Sequence, residues 1–115
     1  MKIDHVFLRA KRNAPEADLL CEFGLVEGSG NRHPGQGTEN RRFFFRNAFI
    51  EFLWMCDESE VNSDVTRPTM LYERLTDSSA SPFGVCFRPG WCPTTWCMKT
   101  SPEMAFMKAT RRWSL

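Results

Sequence analysis

The chain has 115 residues, 42% of them hydrophobic and 25% charged, and fifteen basic against fourteen acidic side chains leave a net charge of +1. That length fits one domain with a real core and excludes two independent ones. Near-neutrality argues against a dedicated nucleic-acid or membrane-surface binder, no apolar run reaches the length of a membrane span, and the N-terminus lacks the apolar core of a secretory signal. A cytoplasmic protein is expected.

Residues 2–10 read as a strand, in which His5 shares a face with Ile3, Phe7 and Arg9. A helix is predicted next, with Asn13 as N-cap, Pro15 in its first turn, Leu19, Leu20 and Phe23 at helical spacing, and Gly24 to end it. Leu25 to Glu27 is a short extended segment. Gly28 to Asn40 holds four glycines and a proline and is expected to be a loop without regular structure. Arg41 to Arg46 returns to strand, and a turn near Asn47 leads into Ala48–Met55, where Glu51 shares a face with Phe49, Leu53 and Met55. If the hairpin turn has two residues, Arg42 and Phe44 join that face. Asp57 to Thr66 reads as polar and irregular, Pro68 to Leu75 as a short helix, 77–82 as a linker and Phe83 to Arg88 as a strand. Beyond Pro89 only a strand at Met104 to Lys108 suggests itself.

An ionised carboxylate among so many apolar neighbours is costly unless paired, so Glu51 is expected to meet an arginine (Arg9 or Arg42), a metal ion or open water. Arg9 and Arg42 also suit an anionic or oxygen-rich ligand, and His33 and Gln36 in the glycine-rich loop are candidates to contact one. The five cysteines include no C-x-x-C pair, and Cys86, Cys92 and Cys97 fit no structural zinc spacing. Trp91, Trp96, Phe106 and Trp113 would expose an apolar patch in so short a tail. A homodimer that buries them is therefore expected.

The order β-α-β-β-β, with His5-Val6-Phe7-Leu8-Arg9-Ala10-Lys11, a helix ending Phe23-Gly24-Leu25, and Phe49-Ile50-Glu51-Phe52-Leu53, resembles the vicinal oxygen chelate superfamily of glyoxalases, bleomycin-resistance proteins and extradiol dioxygenases. His33-Pro34-Gly35-Gln36-Gly37-Thr38 with Asn40-Arg41-Arg42-Phe43-Phe44-Phe45 looks like a glyoxalase-like subgroup. The resemblance implies an α+β fold, a βαβββ module forming a curved sheet with one long helix on its convex face, followed by a partial second module. Residues 1–60 would be the first module, 61–82 a linking segment with a short helix, and 83–115 the partial second, all in one domain. It further implies metal ligands at His5 and Glu51 for a divalent ion. The strand that restarts the pattern departs from the family, placing Pro82 or a neighbour where a histidine often stands, with Glu103 a remote fourth candidate.

The expected function is binding of a small apolar or aromatic ligand with an anionic end, in a cleft on the concave face lined by His5, Phe7, Arg9, Arg42, Phe44, Glu51 and Leu53. Sequestration in the manner of the resistance proteins needs no metal. The alternatives are a metal-dependent lyase, isomerase or dioxygenase using His5 and Glu51, and a degenerate member acting as an interaction module.

Overall fold

A computed structural model describes residues 1–88. The expectations at Glu103, at Met104–Lys108, for the tail aromatic residues and for Cys92 and Cys97 lie outside the described residues. Five strands form one sheet: β1 (Lys2–Arg9), β2 (Arg32–His33), β3 (Thr38–Phe44), β4 (Phe49–Met55) and β5 (Phe83–Arg88), in the order β2-β3-β4-β1-β5. β1 lies parallel to β4, and every other neighbouring pair is antiparallel. Parallel neighbours need a crossover, and the chain supplies it through the first helix, β2 and β3.

The first helix is shorter than predicted. Asn13 and Ala14 both adopt left-handed backbone, so Asn13 caps nothing; a 3₁₀ turn at Pro15–Ala17 follows and leads into the five-residue α1 (Asp18–Glu22). Gly24 does end it, donating to the Cys21 carbonyl at 2.9 Å. The Gly28–Asn40 segment is also more regular than expected. Arg32 and His33 pair with Glu39 and Thr38, and β3 begins three residues before the predicted start at Arg41. Gly37 makes this hairpin fit, because its φ is +75° and a Cβ there would sit 2.2 Å from the Asp57 carbonyl oxygen. Residues 57–66 contain α2 (Glu58–Val61), capped by Asp57, whose carboxylate accepts from the Ser59 and Glu60 amides at 3.0 and 3.2 Å. The Pro68 helix is split by a left-handed Met70 into a 3₁₀ turn (Arg67–Thr69) and α3 (Leu71–Thr76).

Both faces of the sheet are covered, each by a different helix set. Phe43, Phe52 and Trp54 pack with Ala14 and Ala17 beneath the first helical segment, joined by Leu8, Leu20, Leu25 and Ile50. Across that layer Arg41 grips Glu27 at 2.7 Å through two nitrogens and meets Asp18 at 2.9 Å. On the opposite face Phe7, Leu53 and Cys86 pack with Val61 and Leu71, so α2 and α3 close one end of the face expected to be open. Phe7 and Leu53 are 2% and 1% exposed. Burying side chains of this size contributes roughly 1.5–3 kcal/mol each. Phe7 fits because it lies across Gly84, where a Cβ would be 1.9 Å from its ring.

Candidate functional site

The uncovered end of that second face carries the chemistry. Side chains alternate along a strand, so the register decides who meets there. Arg42 stands opposite Glu51, Phe44 opposite Phe49, and His5 opposite both Phe49 and Cys86. The hairpin closes around Arg46 and Asn47, with the Phe45 amide donating to the Ala48 carbonyl at 2.8 Å, which puts Arg42 and Phe44 on the Glu51 face as predicted. Adjacent strands thus contribute His33, Asn40, Glu51, His5 and Cys86 to one row across the sheet.

Glu51 is 3% exposed and occupies the centre of that row. His5 Nε2 lies 3.2 Å from its Oε2, His33 Nε2 lies 3.8 Å from its Oε1, and Asn40 donates its side-chain amide to Oε1. Of the partners considered for this carboxylate, neither arginine reaches it. Arg42 turns away and donates to the Ser29 carbonyl at 2.7 Å and the Ser29 hydroxyl at 3.1 Å. Arg9 lies further along β1 and donates to the carbonyls of Arg74 and Asp77 at the C-terminal end of α3, where a cation complements the helix dipole. Imidazoles and an amide stand around the carboxylate instead.

The electrostatics follow from this geometry. Burial pushes the His5 imidazole pKa down, but hydrogen bonds and charge from Cys86 and Glu51 outweigh it and raise the value to about 10. Burial pushes the Cys86 thiol up, and the neighbouring His5 opposes that shift. Asp4 Oδ2 lies 2.7 Å from His5 Nδ1. Burial opposes ionisation of Glu51, yet its contacts with His5 and Asn40 hold its pKa below the ordinary 4.5.

A platform of rings adjoins the row. His5 stacks on Phe49 at 4.4 Å with 14° between planes, Phe44 tilts against Phe49 at 5.4 Å, and the Arg42 guanidinium carbon lies 4.9 Å from the Phe44 ring centre and 5.6 Å from that of Phe49. Phe44 is 50% exposed. His33 and Gln36 both bond the buried Thr38 hydroxyl, at 2.9 and 2.8 Å. Gln36 also lines a separate groove of about 430 Å³ with Pro34, Gly35, Ser59, Glu60, Ser63 and Val65.

The structure therefore gathers His5, His33, Glu51, Arg42 and Phe44 at one end of the face. Phe7 and Leu53 lie beneath α2 and α3, Arg9 lies at α3, and Gln36 reaches the row only through Thr38. Two members were missed. Asn40 shares the Thr38-Asn40-Arg42 alternation, which becomes visible once β3 is started at Thr38. Cys86 stands opposite His5, an assignment that needed the register, and the Pro82 carbonyl accepts from the Arg9 amide at 2.8 Å. Among the described residues no group of three or more His, Cys, Asp or Glu side chains is arranged to hold a metal ion. Among them, too, no helix is long and apolar enough to cross a membrane.

No curated protein and no solved structure matches the chain. The glyoxalase-like domain family matches residues 3–112, nearly the whole sequence, with His5 and Glu51 on neighbouring strands of the sheet. The chain belongs to that glyoxalase-like family, within the vicinal oxygen chelate superfamily.

Proposed function

We propose that this protein binds a small aromatic or apolar molecule bearing an anionic or oxygenated end, at the Phe44–Phe49–Arg42 platform beside Glu51. One observation carries the reading. Arg42 is anchored to Ser29 through Nε and Nη2 and held over two rings, while its Nη1 has no hydrogen-bond partner among the described residues. A guanidinium fixed on one side with N–H groups to spare suits an anionic oxygen, and the half-exposed Phe44 ring suits a flat apolar body. Sequestration of such a molecule requires no bond to be made or broken. The homodimer expected from the sequence stays part of this proposal, and sedimentation of the full chain reads it directly.

The metal-dependent reading, a lyase, isomerase or dioxygenase working on a divalent ion at His5 and Glu51, draws on the family alone. Among the described residues no group of three or more His, Cys, Asp or Glu side chains is arranged to hold such an ion, and the Asn40 amide donates to one of the Glu51 oxygens, so the described residues do not fit that group.

Calorimetric titration of the full chain, stripped of metal by chelator, with aromatic carboxylates, their neutral amides and aliphatic carboxylates tests the proposal. The aromatic carboxylates should bind best. Arg42→Gln should weaken them by roughly ten- to a hundredfold, the loss of one charged hydrogen bond. Absence of binding across the panel, or affinity indifferent to Arg42→Gln, refutes it, and the interaction-module reading then gains.

A further inference from the structure

The segment leading into β2 runs along the free edge of β3 with one residue too many. Glu27 bridges to Phe43 and Arg32 pairs with Glu39, so the four residues 28–31 face only the three at 40–42. The extra residue makes a bulge beside the strand that carries Arg42 and Phe44. Both ends of the bulge stay in the ladder: the Gly28 amide donates to the Arg42 carbonyl at 2.9 Å, and the Asn40 amide donates to the Asn31 carbonyl at 3.0 Å. Ser29 lies between them, exposed, and its carbonyl and hydroxyl accept from Arg42 Nε at 2.7 Å and Nη2 at 3.1 Å. The bulge thus gives a backbone carbonyl to a side chain instead of to the ladder. The flanking glycines set the distances. A Cβ at Gly28 would come within 2.3 Å of Phe44 Cδ2 and 2.4 Å of its Cε2, and one at Gly30 within 2.8 Å of the Asn40 carbonyl oxygen. Only residues without side chains let the segment lie so close. The Phe44 ring therefore rests against bare backbone at Gly28, with the Arg42 guanidinium carbon 4.9 Å from its centre.

We propose that Gly28 and Ser29 are the specificity-determining positions of the ring platform: Ser29 holds the guanidinium that selects an anionic oxygen, and Gly28 seats the ring that selects a flat body. The proposal rests on the ligand class argued above and divides its recognition between two adjacent positioning residues, which act through Arg42 and Phe44. Each is separately removable. Ser29→Ala takes away the contact to Nη2 and leaves the carbonyl contact to Nε. Gly28→Ala puts a methyl group where the Phe44 ring lies, and that ring, 50% exposed, can swing toward solvent without disturbing either core cluster.

The test is calorimetric titration of the full chain with benzoate, benzamide and cyclohexanecarboxylate, which are similar in size and differ in charge or in flatness. The wild type should prefer benzoate to both others. Ser29→Ala should cut the preference for benzoate over benzamide by about fivefold, the worth of one hydrogen bond, and leave that over cyclohexanecarboxylate as it was. Ser29→Thr keeps the hydroxyl and should restore the lost preference. Gly28→Ala should do the converse, cutting the preference for benzoate over cyclohexanecarboxylate by about two- to tenfold, the worth of an aromatic pair. A general loosening of the fold would weaken all three ligands together, so the two ratios separate positioning from stability. A wild type without both preferences refutes the ligand class, and the inference falls with it. A wild type that has both, with variants that keep both or that shift the same one, overturns the inference alone. Should Gly28→Ala fail to fold, judged by its thermal melt, Ser29→Ala and Ser29→Thr at their exposed position decide.

Discussion

Glu51→Gln isolates the charge at the centre of the row. The substitution keeps shape and volume but presents an NH₂ to one of the N–H groups that now point at a carboxylate. Removing one partner of a buried ion pair costs about 3–5 kcal/mol. His5 keeps 12% of its side chain exposed and retains Asp4 at 2.7 Å, so the lower end applies, about 3 kcal/mol. At roughly 2.1 cal/mol/K of unfolding entropy per residue, a 115-residue chain should then melt about 12 °C lower. Calorimetric melts at neutral pH measure this. Adding His5→Ala should cost about 1–2 kcal/mol less than the two single losses together, because the pair is already broken. A Glu51→Gln protein melting within about 3 °C of wild type, or strictly additive losses, would mean that the carboxylate is stabilised by something other than these neighbours.

Stability should also fall on both sides of neutrality. The His5 pKa is raised in the folded protein, so its contribution is full below the unfolded value of 6.5 and disappears as pH climbs through about 10. That of Glu51 is lowered, so its contribution is present above 4.5 and disappears as pH drops through the folded value. Melts across this range should show the alkaline decline moved to lower pH in Glu51→Gln, and an unmoved decline would count against the pairing. Gly84→Ala should destabilise by about 1–3 kcal/mol, since Phe7 must leave its place across the strand. An unchanged denaturant midpoint would show that Phe7 can move aside at little cost.

Much of the first module was legible because it rests on local rules. The apolar alternation around His5 and Glu51 marks β1 and β4, and Gly24 marks the end of the first helix. The misread segments were governed by contacts distant in sequence. The glycines of 28–40 look like loop, yet the close approach of Gly37 to Asp57 folds them into a hairpin. Asn13 has the chemistry of an N-cap, but its left-handed backbone rules that role out. Asp57–Val61 reads as irregular because only the Asp57 cap and the packing of Val61 against Phe7 and Leu53 make a helix there.

The site divides in the same way. Periodicity, with a two-residue turn between the strands, put Arg42 and Phe44 on the face of Glu51, since successive side chains of a strand must alternate. It could not say which group would neutralise the carboxylate, because that depends on registers between strands far apart in the chain. The fold placed Asn40 and two imidazoles around Glu51 and Cys86 opposite His5, and laid α2 and α3 over Phe7 and Leu53. Arginine side chains are long enough to choose among several partners, and here backbone carbonyls and Ser29 took them.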